Sequence, residues 1–293
     1  MDGYSVRPTH TLDIGEASAA DAGDLSKFVD FVLELHRLLR RESDLSPGNP
    51  TVSRWISLFR QNLRGSHRPE DVQFVLENRR IRPIRRELLA MLSEAEGLEE
   101  LYEARRLLEQ EGNGNELLSR LPGWNVYECL AGKEMECFDT LQRPGSSPAE
   151  PILFVGSGPL PLSAIVMHLR GRTEITCLDL DPAACEVSES LLRRLGLGGK
   201  ITVLQVDGAD FDYRQFRRIL VASLVPNKSA VLDRIRSTAP GAIVGVRTAE
   251  GMRGLMYEAV DEARLSARGW GILARTTRRE NLVMNSTIFI APQ

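Results

Sequence analysis

The chain has 293 residues, 42% of them hydrophobic and 26% charged, with a formal net charge of −3. That length accommodates one large domain with a smaller one beside it. The slight acidic excess leaves no basic surplus to neutralise phosphates, which excludes nucleic acid as the main partner.

No apolar run approaches the roughly 20 residues of a membrane-spanning helix. Residues 1–21 lack the basic-then-apolar pattern of a secretion signal, so the sequence predicts a cytoplasmic protein with no membrane partner. Cys129, Cys137, Cys177 and Cys185 form no Cys-x-x-Cys pair, and His10, His36, His67 and His168 are scattered; no metal site is expected.

In chain order, residues 1–24 are small, polar and irregular, and read as a flexible N-terminal arm. From Leu25 to Leu39, apolar residues recur at helical spacing and run into the basic group Arg37, Arg40 and Arg41. The exposed face of that helix is compatible with a homodimer. Ser46–Pro50 is a turn, with Thr51 or Ser53 expected to cap a helix carrying Trp55, Ile56, Leu58, Phe59 and Leu63. Further helices are predicted over Pro69–Asn78, Ile84–Gln110 and Tyr127–Leu141, with a break at Gly112–Asn115. No alternating pattern precedes residue 120, so residues 25–143 are expected to form an all-helical lid or substrate domain. The Pro/Gly/Ser run Arg143–Pro148 reads as a linker.

From Pro151 the pattern changes to strands alternating with helices. Strands are predicted at Ile152–Val155, Glu174–Leu178, Ile201–Gln205, Arg218–Ser223 and Ala242–Arg247. Helices are predicted at Leu162–Leu169, Pro182–Leu195, Ser229–Thr238 and Leu255–Ala267. Gly271–Thr276 and Asn281–Ile290 read as antiparallel edge strands. The expected fold class is α/β: a Rossmann-like, class I methyltransferase-type sheet over residues 151–293 behind the N-terminal all-helical domain.

Ligands of such sheets bind at the carboxyl ends of the strands. The first strand ends in Gly156-Ser157-Gly158, a turn that lets a ligand approach bare backbone. It lacks a third glycine and any Gly-Lys-Ser/Thr, and Pro159 and Pro161 follow; a P-loop is excluded. Asp179, ending the second strand, is placed to accept hydrogen bonds from ribose hydroxyls, while Asp181 before Pro182 reads as a helix cap. Asp207, with Gly208 and Ala209, could reach an adenine amine after the third strand, and Ala222 closes the fourth. Glycine turn, acid and Asp-Gly in this order favour S-adenosylmethionine over NAD, because the pyrophosphate cradle is missing.

The run Phe154 to Ser163, with its unusual Gly-Pro-Leu-Pro-Leu, resembles the signature of the nicotianamine synthase family and of bacterial relatives that make opine-type metallophores such as staphylopine and pseudopaline. Asp44–Pro47, Glu94–Leu98, Pro122 through Tyr127 to Leu130 and Glu134, and Arg247–Arg253 look like further family segments, so the resemblance covers residues 25–260 approximately. It implies transfer of the 3-amino-3-carboxypropyl (aminobutanoyl) group of S-adenosylmethionine, as co-substrate, to an amine, with release of methylthioadenosine. No metal is required.

By the same resemblance Tyr127 faces the sulfonium and methionyl chain, and Glu96 orients and deprotonates the acceptor amine, with Glu94 and Glu100 as competitors. Arg247 and Arg253 could hold carboxylates by forked hydrogen bonds. Plant members usually carry histidine where this chain has Glu250, and their two-aromatic entry is reduced here to Gly123-Trp124. An acid at Glu250 suits a cationic or imidazole-bearing acceptor, so a single transfer onto histidine is expected, with hand-off to an opine dehydrogenase. Nicotianamine synthase proper, a small-molecule methyltransferase and a non-catalytic S-adenosylmethionine-binding regulator remain the alternatives.

Overall fold

The computed structural model describes residues 22–112, 114–121, 123–142, 150–276 and 283–293. Most of the expected arm, the linker Arg143–Pro148, Asn113, Pro122 and the first residues of the expected last strand lie outside the described residues.

The helices of the first half are α1 (Ala22–Arg41), α2 (Pro50–Leu63), α3 (Pro69–Leu76), α4 (Arg85–Glu109), the short α5 (Gly114–Ser119) and α6 (Trp124–Leu141). The second helix starts earlier than either expected cap allows: Pro50 occupies its first turn, and the Asn49 side chain, rather than Thr51 or Ser53, accepts from the Thr51 and Val52 N–H groups. Proline has no N–H to lose at that position, and asparagine is among the best caps.

The second half interleaves β1 (Ile152–Val155), α7 (Leu162–Gly171), β2 (Ile175–Asp179), α8 (Pro182–Arg194), β3 (Ile201–Gln205), β4 (Arg218–Val221), α9 (Lys228–Thr238), β5 (Ile243–Thr248), a 3-10 turn at Gly251–Leu255, α10 (Glu262–Ala267), β6 (Trp270–Arg275) and β7 (Ser286–Pro292). Among the described residues, the strands form one seven-stranded sheet in the order β3-β2-β1-β4-β5-β7-β6. β1 to β5 are parallel, and β7 and β6 close the far side antiparallel. β1 and β4 are buried at every residue, as parallel strands covered on both faces must be. Asp181 caps α8 by accepting from the Ala183 N–H at 2.9 Å, as expected.

One expected helix is corrected. Instead of a single helix over Leu255–Ala267, the chain makes the 3-10 turn, leaves helical geometry, and restarts at α10 behind the Asp261 cap. The Thr248 hydroxyl accepts from the Val260 N–H at 2.9 Å, and this bond pins the non-helical stretch back onto the end of β5.

Two apolar clusters organise the molecule. One is the helical bundle of α1, α2 and the first half of α4, completed by Ala249, Met252, Leu255, Met256 and Tyr257 from beyond β5. The other surrounds the sheet and takes in Ala104 and Leu107 of α4 and Ala131 and Met135 of α6. α4 therefore runs through both clusters, and its middle turns lie where they meet. Between α6 and β7, Phe138 packs edge-on against Phe289 with ring centroids 5.0 Å apart.

Candidate active site

Parallel pairing sets Val155 of β1 opposite Leu178 of β2 and Val221 of β4. The residues that follow, Gly156, Asp179 and Ala222, therefore reach the same sheet edge, on either side of the point where strand order reverses. A cavity of about 660 Å³ opens there, floored by this edge and roofed by α4 and α6.

Gly156 and Gly158 have φ of +76° and +68°, the left-handed region in which side chains are strained. Space excludes them as well: a Cβ on Gly156 would run into the Val225 side chain, and one on Gly158 would come 2.5 Å from Glu100 Oε2. The turn is clamped by Asp179, whose Oδ2 accepts from the Gly158 N–H at 2.8 Å and whose Oδ1 accepts from the Asp181 N–H at 3.1 Å. A carboxylate has about four acceptor sites, so two remain for a ligand's hydroxyls. Asp207 Oδ1 accepts from the Ala209 N–H at 2.8 Å, which fixes the loop after β3, while Gly208 is packed beneath it against Val155 and Tyr213.

The roof carries the ionisable groups. Glu96 and Glu100 are one turn apart on α4 and share a face. Glu96 accepts from the Tyr257 hydroxyl at 2.8 Å (Oε2) and 3.1 Å (Oε1), with Arg60 Nη2 at 3.8 Å. Burial raises its carboxyl above the usual range, against the opposing pull of Arg60 and the Tyr257 hydrogen bond. Burial raises Glu100 further, because Glu96, Asp179 and Glu99 add negative charge around it and Arg247 offsets only part. Tyr127 stands in the first turn of α6, where its N–H donates to the Gly123 carbonyl. Its phenol is pushed far above its ordinary range by burial, then by Glu100 and Glu96. A neutral phenol able to donate a hydrogen bond thus faces a pair of acids.

Of the expected site residues, Glu94, Glu96, Glu100, Tyr127, Gly156, Ser157, Gly158, Pro159, Asp179, Asp207, Gly208, Ala222 and Arg247 all line this cavity. Ala209, Glu250 and Arg253 do not. Ala209 serves as the backbone donor that orients Asp207. Glu250 turns toward β7 and accepts from the Ser286 hydroxyl at 2.6 Å. Arg253 is buried at the bundle, donating to the Gly65 carbonyl at 3.3 Å.

Arg247 reaches the cavity wall already committed. Its Nε and Nη2 donate to the two carboxylate oxygens of fully buried Glu134, both at 2.9 Å, and Nη2 also donates to Ser163 Oγ at 2.7 Å. Its guanidinium lies 5.2 Å from the centre of the Phe154 ring. Glu134 accepts additionally from the Thr287 hydroxyl at 2.6 Å. This forked pair ties α6 to β5 and β7, and spends the fork that the sequence assigns to a ligand carboxylate.

Sequence reasoning missed Tyr257, the partnership of Glu134, and Asn285. Asn285 lines the cavity and donates to Ser223 Oγ at 2.8 Å, while its buried Oδ1 has no partner among the described residues. Glu134 stood in a quoted family stretch; nothing local marked the other two.

The sequence profile of the nicotianamine synthase protein family matches residues 22–292. The L-histidine 2-aminobutanoyltransferase of Pseudomonas aeruginosa is 36% identical over 125 residues, 42% of this chain; the matched stretch spans 47%, about half, of that relative's length. Nicotianamine synthase 1 of Oryza sativa subsp. indica is 28% identical over 280 residues, covering 90% of this chain and 81% of its own. Among solved structures, MtNAS in complex with MTA and tNA superposes with a TM-score of 0.79 at 18% identity, over 94% of this chain and all of the other. A variant of MtNAS in complex with S-adenosylmethionine gives 0.77 over 90% and 98%. These likenesses establish the shared fold.

Proposed function

Since this chain belongs to the nicotianamine synthase family, we propose that it moves the aminobutanoyl group of S-adenosylmethionine onto an amine, releasing methylthioadenosine. The observation that carries this reading is the convergence, on one cavity, of the glycine turn and Asp179 with Glu96, Glu100, Tyr127 and Tyr257. The first pair suits a nucleoside, with Asp179 offering acceptors to the ribose and the bare turn admitting the methionyl chain. The acids supply a negative field that suits a sulfonium, while the two cations beside them are held by other carboxylates, Arg247 by Glu134 and Arg60 most closely by Glu99.

In the reaction, the acceptor ammonium first gives a proton to the base, and the neutral nitrogen so formed attacks the methionyl carbon bonded to sulfur. The carbon–sulfur bond breaks, its electron pair stays on sulfur as the neutral thioether of methylthioadenosine, and the nitrogen is left as a new ammonium. Which of the three sulfonium carbons reacts depends on which lies in line with the nucleophile. Glu96 is the base: its raised affinity for a proton suits extraction from an ammonium. Tyr127, neutral and adjacent, steadies the methionyl chain by donating a hydrogen bond.

We take histidine as the acceptor, on the likeness to the Pseudomonas aeruginosa enzyme. Glu250 no longer supports that choice, because it lies outside the cavity. Asn285 replaces it in kind, as an unpartnered acceptor able to receive an N–H from an imidazole or an amine. A single transfer followed by an opine dehydrogenase is the expected sequence. The second reading is repeated transfer, as in nicotianamine synthase proper, which the longer match to the Oryza sativa protein favours.

Product analysis tests both. Incubation with S-adenosylmethionine and L-histidine is expected to yield methylthioadenosine and a histidine adduct carrying one aminobutanoyl group. Adducts formed from S-adenosylmethionine alone would favour the second reading, and S-adenosylhomocysteine would sink both. Replacing Asp179 by alanine removes the clamp on the turn and the ribose acceptor together. We expect its Kd for S-adenosylmethionine, read by titration calorimetry, to rise about tenfold or more, the scale of one hydrogen bond to a charged group.

A further inference from the structure

Tyr257 lies in the stretch where periodicity predicts a helix and the chain instead abandons one. After the 3-10 turn, the Met256 and Tyr257 N–H groups both donate to the Arg253 carbonyl, and the chain then runs to the Thr248 clamp at Val260. This path presses the Tyr257 ring into the helical bundle, 6% exposed, with its hydroxyl on Glu96. Phenylalanine would fill the same apolar space. The hydroxyl is a polar addition, and its hydrogen bonds go to both oxygens of one carboxylate.

The other groups around Glu96 do not replace that donor. Arg60 of α2 lies 3.8 Å from Glu96 but 2.7 Å from Glu99, its close partner. Glu99 and Glu100 on α4 are acids that disfavour a charge on Glu96, and Tyr127 of α6 makes no hydrogen bond to it among the described residues. The close hydrogen-bond donor to Glu96 in the described structure is therefore Tyr257.

We propose that Tyr257 is a positioning residue: its hydroxyl aims the Glu96 carboxylate into the cavity and holds it in the ionised form that accepts a proton. The proposal rests on the reading of Glu96 as the base. Donation to the charged form favours that form, so removing the hydroxyl lets Glu96 protonate at higher pH. At neutral pH a larger share of the enzyme then carries a base that is already occupied.

The test is Tyr257→Phe, followed by methylthioadenosine release across pH. The acidic limb of kcat/KM is expected to move up by roughly one pH unit, with activity returning to within a few-fold of the parent well above that limb. On a Glu96→Gln background the same substitution should cost nothing more, because its target is gone. A loss equal at all pH values, or one that adds fully to Glu96→Gln, overturns the proposal. Titration of 13C-labelled glutamate carboxyls by NMR, with Glu96→Gln assigning the signal, reads the coupling without turnover. If the Glu96 titration moves up in Tyr257→Phe while no aminobutanoyl product forms with any amine, the coupling stands and the transferase reading falls. If product forms but the titration does not move, only the role of Tyr257 falls.

Discussion

Glutamine at position 96 should lower kcat for aminobutanoyl transfer by about 10²- to 10⁴-fold, the range for removing a positioned general base, while S-adenosylmethionine affinity stays within a few-fold of the parent. The substitution keeps the shape of the side chain and an oxygen for the Tyr257 hydroxyl, which bonds Glu96 at 2.8 Å. It removes the capacity to take a proton from the acceptor ammonium. Binding should be spared because the glycine turn and Asp179, the proposed nucleoside site, line the opposite side of the cavity. Since burial raises the Glu96 carboxyl, the parent should lose activity, as pH falls, from above the ordinary glutamate range of about 4.3, and Glu96→Gln should lack that limb. Glu100→Gln is the discriminating companion. Glu100 stands against Gly158 and Asp179, so its change should appear in the KM for S-adenosylmethionine. If Glu96→Gln turns over like the parent while Glu100→Gln is dead, the base is Glu100.

The division between what the sequence reveals and what it hides follows the range of the forces involved. β1 is buried on both faces and appears as an uninterrupted apolar run, as does β4 after its opening Arg218, and glycines at positive φ, Asp-Pro caps and acids after strands are local signals. The floor of the cavity was legible for that reason: Gly156, Gly158, Asp179 and Asp207 each sit where a strand ends. The roof was reached through family resemblance, since a glutamate on a helix rich in glutamates carries no mark of its own. Arg247 lines the cavity with its fork taken by Glu134, which lies 113 residues away, and no periodicity reports such a pairing. Tyr257 was concealed by the helical spacing around it. What stops the helix is the Thr248 hydroxyl bonded to the Val260 N–H, a side-chain contact across a turn that propensity does not register. Glu250 illustrates the converse: two positions beyond β5, it is turned by Ser286 toward the sheet and away from the cavity.

The largest loss of stability is expected from Glu134→Ala. Glu134 is fully buried, and its oxygens receive Arg247 twice and Thr287 once. Alanine leaves the Arg247 charge buried with Ser163 Oγ and the face of Phe154 as its remaining contacts, and breaking a buried pair from one side typically costs about 3–5 kcal/mol. Chemical denaturation should report it as a lower midpoint with an unchanged slope. The double change Glu134→Leu with Arg247→Met removes both charges and should recover most of that loss, because apolar side chains of similar volume can replace a buried ion pair at little cost. Activity should not return with stability. Arg247 lines the cavity and partly offsets the negative charge on Glu100, so without it the acids hold their protons more tightly and the active pH range moves upward. A Glu134→Ala midpoint indistinguishable from that of the parent would mean that water reaches the Arg247 guanidinium. In that event the pair would act only in the chemistry of the cavity, and the double variant would be impaired without ever having been destabilised.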